Sequence, residues 1–372
     1  MTQTTPPRGG VARTTRRGPR PLALHVALAE WAWRTGSPTT LAEFFRGVRA
    51  YRNHPYRRAG ASATVVWRRD ESRLRDYGED EGWPLLVVPS LVNRAYVLDL
   101  MPDASLLRYL GDHGIRPFLL EWGPAGRRMT LDDHIVDRLE PCFDWLRRTT
   151  GRRPLVMGYC MGGLLALALA SRRPTDLAGL ALLATPWDFH QGQGPADRLS
   201  AQRHLLAALA GMAGGASVDL LQTLFASIDP MAVPRKFARF GALDPASTAA
   251  LRFVAIEDWL NDGVPLGADL TGHCILDWYG DNLPARGLWQ IAGRPVRPQT
   301  LDIPAYVAIP ARDRIVPAES ALALAAELPL AEVIRPASGH VGMVVGARAA
   351  RELWDPLLAW LRRIAATQKK PC

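Results

Sequence analysis

The 372 residues carry 45 Lys and Arg against 36 Asp and Glu, a formal charge of +9, with 48% hydrophobic and 22% charged residues. That balance excludes a wholly disordered chain and a membrane bundle, and no run approaches the roughly 18 unbroken apolar residues a spanning helix needs. The length suits one large α/β domain with insertions, or two ordinary domains.

Residues 1–20, MTQTTPPRGGVARTTRRGPR, are rich in Pro, Gly and Arg without apolar periodicity and read as a disordered basic arm. Arg16 and Arg17 precede an apolar stretch, as an export signal would. His25 and Glu30 interrupt that stretch, however, and no small-residue cleavage site follows. Residues 21–60 read as a helical N-terminal extension. Short apolar runs then recur at 63–67, 84–90, 115–122, 153–159 and 177–185, with helical patterns at 105–114, 131–151 and 162–173 between them. Strands alternating with helices predict parallel pairing and a sheet covered on both faces. The alternation stops near Pro186 and resumes with strand patterns at 303–310 and 331–336. The expected layout is therefore an α/β core over 61–185 and 301–372, interrupted by a helical cap or lid at 186–300.

The four cysteines, at 142, 160, 274 and 372, form no CxxC pair, so reduced thiols and a cytoplasmic location are expected. The basic excess suits anionic partners. Its arginines are not interleaved with a recognition helix or an aromatic sheet motif, so no nucleic acid is expected; a phosphate-bearing substrate or an anionic lipid surface accounts for the charge equally well. No histidine–cysteine cluster has metal-ligand spacing and no phosphate-binding glycine loop occurs, so neither metal nor cofactor is expected.

The stretch with the most chemistry is Gly158-Tyr159-Cys160-Met161-Gly162, between a buried strand and a helix. It fits a nucleophile elbow with cysteine at the centre, where glycines at 158 and 162 relieve clashes that side chains would make with the neighbouring strand and helix. The turn aims the Met161 N–H toward a developing oxyanion, and the positive end of the helix dipole favours a thiolate. At this composition about 0.03 such patterns arise by chance, so the strand–helix context has to supply the specificity. A small buried cysteine in a glycine-rich turn is the plain alternative.

Of eight histidines, only His340 lies in a small-residue loop, PASGHVGMVVG, between the last expected strand and the terminal helix. Asp313, in IPARDRIVP, follows the strand before it and is placed to orient an imidazole. Singly, His340 reads as a loop histidine and Asp313 as a helix cap; in this order after Cys160 they read as a triad.

With elbow, acid and base in view, residues 84–350 resemble the polyhydroxyalkanoate synthases, in PLLVVPSLVNRAYVLDLMPD, GYCMGG, IPAYVAIPARDRIVP and SGHVGMVVG. The resemblance implies an α/β-hydrolase fold with a helical cap, and an acyltransferase that polymerises 3-hydroxyacyl-CoA through an acyl-cysteine. It implies Cys160 as nucleophile, His340 as base, Asp313 as its orienter, and Met161 with Val92 of the SLVN loop as oxyanion donors. It also implies CoA thioester as substrate, association with a polymer granule surface, and a small partner subunit or a homodimer. A depolymerase or thioesterase with the same triad, and a silent granule-binding protein, are the alternatives. Two departures stand out: Arg314 replaces the histidine common after the aspartate, and the first 60 residues match no synthase segment.

Overall fold

Eight strands build the principal sheet: β1 (Thr64–Arg69), β2 (Ser72–Asp76), β3 (Trp83–Val88), β4 (Ile115–Glu121), β5 (Leu155–Tyr159), β6 (Gly179–Leu183), β7 (Ala305–Ala308) and β8 (Ala331–Ile334). They lie in the order β1-β2-β4-β3-β5-β6-β7-β8 in this computed structural model, which describes residues 16–37, 39–60, 63–123, 128–191 and 202–368. β2 pairs antiparallel with β1 and β4; every other pairing in the sheet is parallel. Helices cover both faces, which is why β3, β5 and β6 are buried along their whole length and read as unbroken apolar runs. The helix Met161–Arg172 is nearly as apolar and is buried from Gly162 to Ala170. Leu86, Val156, Leu165, Leu180 and Val307 share one core with it.

The strands sit where the apolar runs place them, except β2. Its sequence, SRLRD, has three charged residues in five, and it enters through a tight turn at Asp70, whose φ is +49°. The helical pattern at 131–151 forms, but with a wider turn over Asp133–Leu139 before the helix Glu140–Thr150. Pro141 has no N–H to continue the regular ladder there.

By its internal contacts the chain divides into two units, Met1–Tyr56 with Pro230–Asp258, and Arg57–Asp229 with Trp259–Cys372. The second holds the sheet. The first is built on the helices Leu22–Arg34, Leu41–Asn53 and Ala232–Phe240, whose Phe44, Val48, Tyr51, Phe237 and Phe240 form a separate aromatic core with Val254. The expected boundaries differ from these. The segment 186–300 is not one body, because 230–258 completes the core of the N-terminal helices. Nor is the chain free as far as residue 20: Arg16 is paired with Asp258 at 2.6 Å and also donates to the His54 and Tyr56 carbonyls. Residues 1–15 of the expected arm lie outside the described residues.

Candidate active site

Cys160 stands at the junction of β5 and the helix Met161–Arg172, with φ +56° and ψ −128°, a backbone conformation that L-residues rarely adopt. Its N–H donates to the Leu183 carbonyl at the end of β6 (2.9 Å), and its carbonyl accepts from the Gly163 N–H (2.9 Å). The flanking glycines are sterically required. A Cβ at Gly158 would lie 2.4 Å from Gly163 Cα, and one at Gly162 would lie 2.2 Å from the Val88 carbonyl oxygen at the end of β3. The sharp turn can therefore pack helix on sheet only without those side chains.

Asp313 leaves the end of β7 and His340 lies in the loop after β8, so parallel strands bring both to the same sheet edge as Cys160. His340 Nδ1 lies 2.7 Å from Asp313 Oδ2. The other carboxylate oxygen accepts from the Ile315 N–H (2.8 Å) and the Val316 N–H (3.0 Å), which holds the buried carboxylate of Asp313 in place. Burial opposes a charge on His340, but the sulfur of Cys160 and the hydrogen-bonded carboxylate of Asp313 outweigh it and raise the ring's pKa to about 10. The arrangement therefore favours a protonated ring between the Cys160 sulfur and the Asp313 carboxylate.

These three residues line a cavity of about 930 Å³, together with Val92, Met161, Phe225, Trp278 and Tyr279. That size is at the upper end of ordinary ligand pockets, roughly 300–1,000 Å³. Its walls are largely apolar, which suits an acyl chain, although charged and polar side chains such as Arg94, Asp188 and Arg335 also border it. The loop after β3 forms one side. The Val264 N–H donates to the Val92 carbonyl (3.0 Å), and Trp259 and Trp122 donate their indole N–H groups to the Arg94 carbonyl (2.8 Å) and the Pro89 carbonyl (3.1 Å). The Val92 N–H has a long contact, 3.4 Å, with Ser90 Oγ, a weak bond that a stronger acceptor would displace. Met161 is the first residue of its helix, and Met161 and Val92 both border the cavity.

Two residues near the triad escape a reading of the sequence. Tyr159, the unspecified position of the elbow, donates its hydroxyl to the His340 carbonyl (3.3 Å) and packs its ring 5.3 Å from the imidazole. Burial pushes its pKa up, and it stays neutral. Tyr279 packs on Phe189, and burial with the nearby Cys160 raises its pKa too. Only the position next to Cys160 could have marked Tyr159; nothing local marks Tyr279. Elsewhere, His273 binds Asp277 one helical turn on (2.7 Å), and burial pushes the Cys274 thiol up to about 12. Asp133 serves as a helix cap, exchanging hydrogen bonds with Thr130. Arg314 forms an ion pair with Asp229. Among the described residues no group of three or more His, Cys, Asp or Glu could hold a metal ion.

A family model described as the alpha/beta hydrolase fold matches residues 121–347, more than half of the chain. The chain belongs to the alpha/beta hydrolase fold family. Solved alpha/beta hydrolase structures agree at the level of fold. A monoacylglycerol lipase of Paleococcus ferrophilus superposes with a TM-score of 0.52 at 17% identity, over 79% of this chain and 99% of that one. A carboxylesterase of Nitrososphaera gargenis gives 0.52 at 14% identity, over 82% of this chain and 100% of that one.

Among sequence relatives, the chain is similar to the poly(3-hydroxyalkanoate) polymerase subunits of Haloferax mediterranei, 27% identical over 82% of this chain, and Allochromatium vinosum, 28% identical over 80%. The subunit of Haloarcula marismortui is 26% identical over 76% of this chain. The matched region spans 64% of the Haloferax and 61% of the Haloarcula protein, under two thirds of each, but 87% of the Allochromatium one. The resemblance to polyhydroxyalkanoate synthases thus runs through most of this alpha/beta hydrolase.

Proposed function

We propose that the protein is a polyhydroxyalkanoate synthase-like acyltransferase that polymerises 3-hydroxyacyl-CoA with release of CoA. The observation that carries this reading is a cysteine, in place of the serine usual in hydrolases, that lines one largely apolar cavity of about 930 Å³ with a hydrogen-bonded histidine–aspartate pair. The similarity to polymerase subunits supports it.

Cys160 Sγ attacks the thioester carbonyl of 3-hydroxyacyl-CoA. The carbon–sulfur bond to CoA breaks and the imidazolium of His340 protonates the departing thiolate. The amides of Met161 and Val92 stabilise the oxyanion. One thioester has replaced another, so the acyl group keeps its activation. His340, now neutral, takes the proton of an incoming hydroxyl group; an ester bond forms, the bond to Cys160 breaks, and the proton on His340 restores the starting pair. Asp313 holds the ring and offsets its charge in both halves. CoA thioester is a substrate here, and the chain's own residues carry every step. The relatives' names call them subunits, which supports a need for a small partner subunit or a homodimer, and a polymeric product implies work at a granule surface in the cytoplasm.

The test is to incubate the purified chain with 3-hydroxybutyryl-CoA, with and without a small partner subunit. CoA release with polymer supports the reading; CoA with free hydroxy acid would make the protein a hydrolase with the same triad. Cys160→Ala is expected to lower CoA release at least about 1,000-fold, and unchanged release in that variant would remove Cys160 from the chemistry.

A further inference from the structure

The positive charge is unevenly distributed. The unit Met1–Tyr56 with Pro230–Asp258 holds thirteen Lys and Arg against five acids, and so +8 of the chain's formal +9. The unit with the triad is close to neutral, so the charge does not serve the active-site cavity, whose lining residues all belong to that neutral unit.

The first unit also exposes large apolar side chains. Trp31 and Trp33 of the helix Leu22–Arg34 are 60% and 54% exposed, and Phe45 of the helix Leu41–Asn53 is 45% exposed. The outer line of the first helix, Ala23, Ala27 and Trp31, is spaced four residues apart and carries no charge; Glu30 is bonded to Arg34. The second helix buries Phe44, Gly47, Val48 and Tyr51 and turns Arg46, Arg49 and Arg52 outward with Phe45. Among the described residues the only ion pair of these three arginines is Arg46 with Glu43, at 4.0 Å and with Glu43 engaged in the capping box, while Arg52 donates to the Arg17 carbonyl, a neutral partner.

We propose that these two helices form a docking surface for an anionic lipid interface. Arginine on one helix, with tryptophan on an otherwise apolar outer line of its neighbour, is the combination that headgroup phosphates and the upper acyl region satisfy together. A polynucleotide would use the arginines but not the uncharged line of alanines. Among the described residues no helix is long and apolar enough to cross a membrane, so the contact is peripheral.

The full chain is to be sedimented with vesicles of phosphatidylcholine alone and with vesicles containing about one third phosphatidylglycerol. Binding to the anionic vesicles only is expected, and its loss in 1 M salt, where screening shortens to about 3 Å. At about fivefold per arginine, R46Q/R49Q/R52Q should weaken partitioning on the order of 100-fold, while the corresponding lysine variant retains most of it. W31A should weaken it without changing its salt dependence, while W33A, two residues on and on another face of the helix, should change it little. All five positions are exposed, and circular dichroism with unchanged CoA release checks that the variants fold. Equal binding to both vesicle types, or to neither, would overturn the proposal, as would a salt-sensitive complex with RNA or DNA alongside indifference to vesicles.

Discussion

His340 takes its character from its two neighbours rather than from its loop. With its folded pKa raised to about 10 from the ordinary 6.5, its contribution to stability is fully present below about pH 6.5 and is lost as pH rises through about 10. The denaturation midpoint should therefore fall between pH 7 and 10, and by less in Cys160→Ala, where the sulfur that helps to raise the ring's pKa is gone. Ring NMR should find His340 protonated at pH 8 in the free protein; a neutral ring at pH 7 would contradict the ion-pair description. Asp313→Asn keeps the shape but fills the site with an amide that cannot balance an imidazolium. By analogy with the serine-protease triad, CoA release should drop on the order of 10⁴-fold in a kinetic assay with substrate binding little changed. Tyr159→Phe keeps the ring against His340 but removes the hydroxyl from its carbonyl, and is expected to cost only about 1 kcal/mol of stability by chemical denaturation.

Elements place these residues, and elements are what an apolar pattern reports. The strands β3, β5 and β6 are legible because both their faces are buried, and the elbow because glycine is required on either side of a residue at positive φ. Asp313 and His340 are legible because each follows a recognisable strand. β2 is not, since its SRLRD run is polar and owes its place to pairing with β4. Tyr279 is not, because it lines the same cavity as Cys160 from a segment far along the chain. The aromatic core shared by 41–53 and 230–258 is equally hidden, since no local pattern announces a contact nearly 200 residues apart. Gly47 tests that core. A Cβ there would fall 1.9 Å from the Phe237 carbonyl oxygen, so Gly47→Ala should destabilise by about 1–3 kcal/mol. Hydrogen exchange should rise in 41–53 and 232–240 while the strands β3 to β7 stay protected; uniform exchange throughout would mean that the two cores unfold as one.

At the scale of the whole molecule, chemistry and charge belong to different units. The nearly neutral unit carries the sheet, the cavity and Cys160, Asp313 and His340; the unit with +8 carries the exposed tryptophans and arginines of the two helices. Vesicle binding and CoA release should accordingly respond to different substitutions: the helix variants change the first alone and the triad variants the second alone. The proposed chemistry requires a covalent acyl-cysteine intermediate, which the mass of the intact chain, followed by peptide mapping, reports most directly after brief mixing with 3-hydroxybutyryl-CoA. The account predicts an added mass of one or more 3-hydroxybutyryl units on the peptide containing Cys160, absent from Cys160→Ala. CoA release with no adduct on that peptide, or an adduct that persists in the alanine variant, would contradict it.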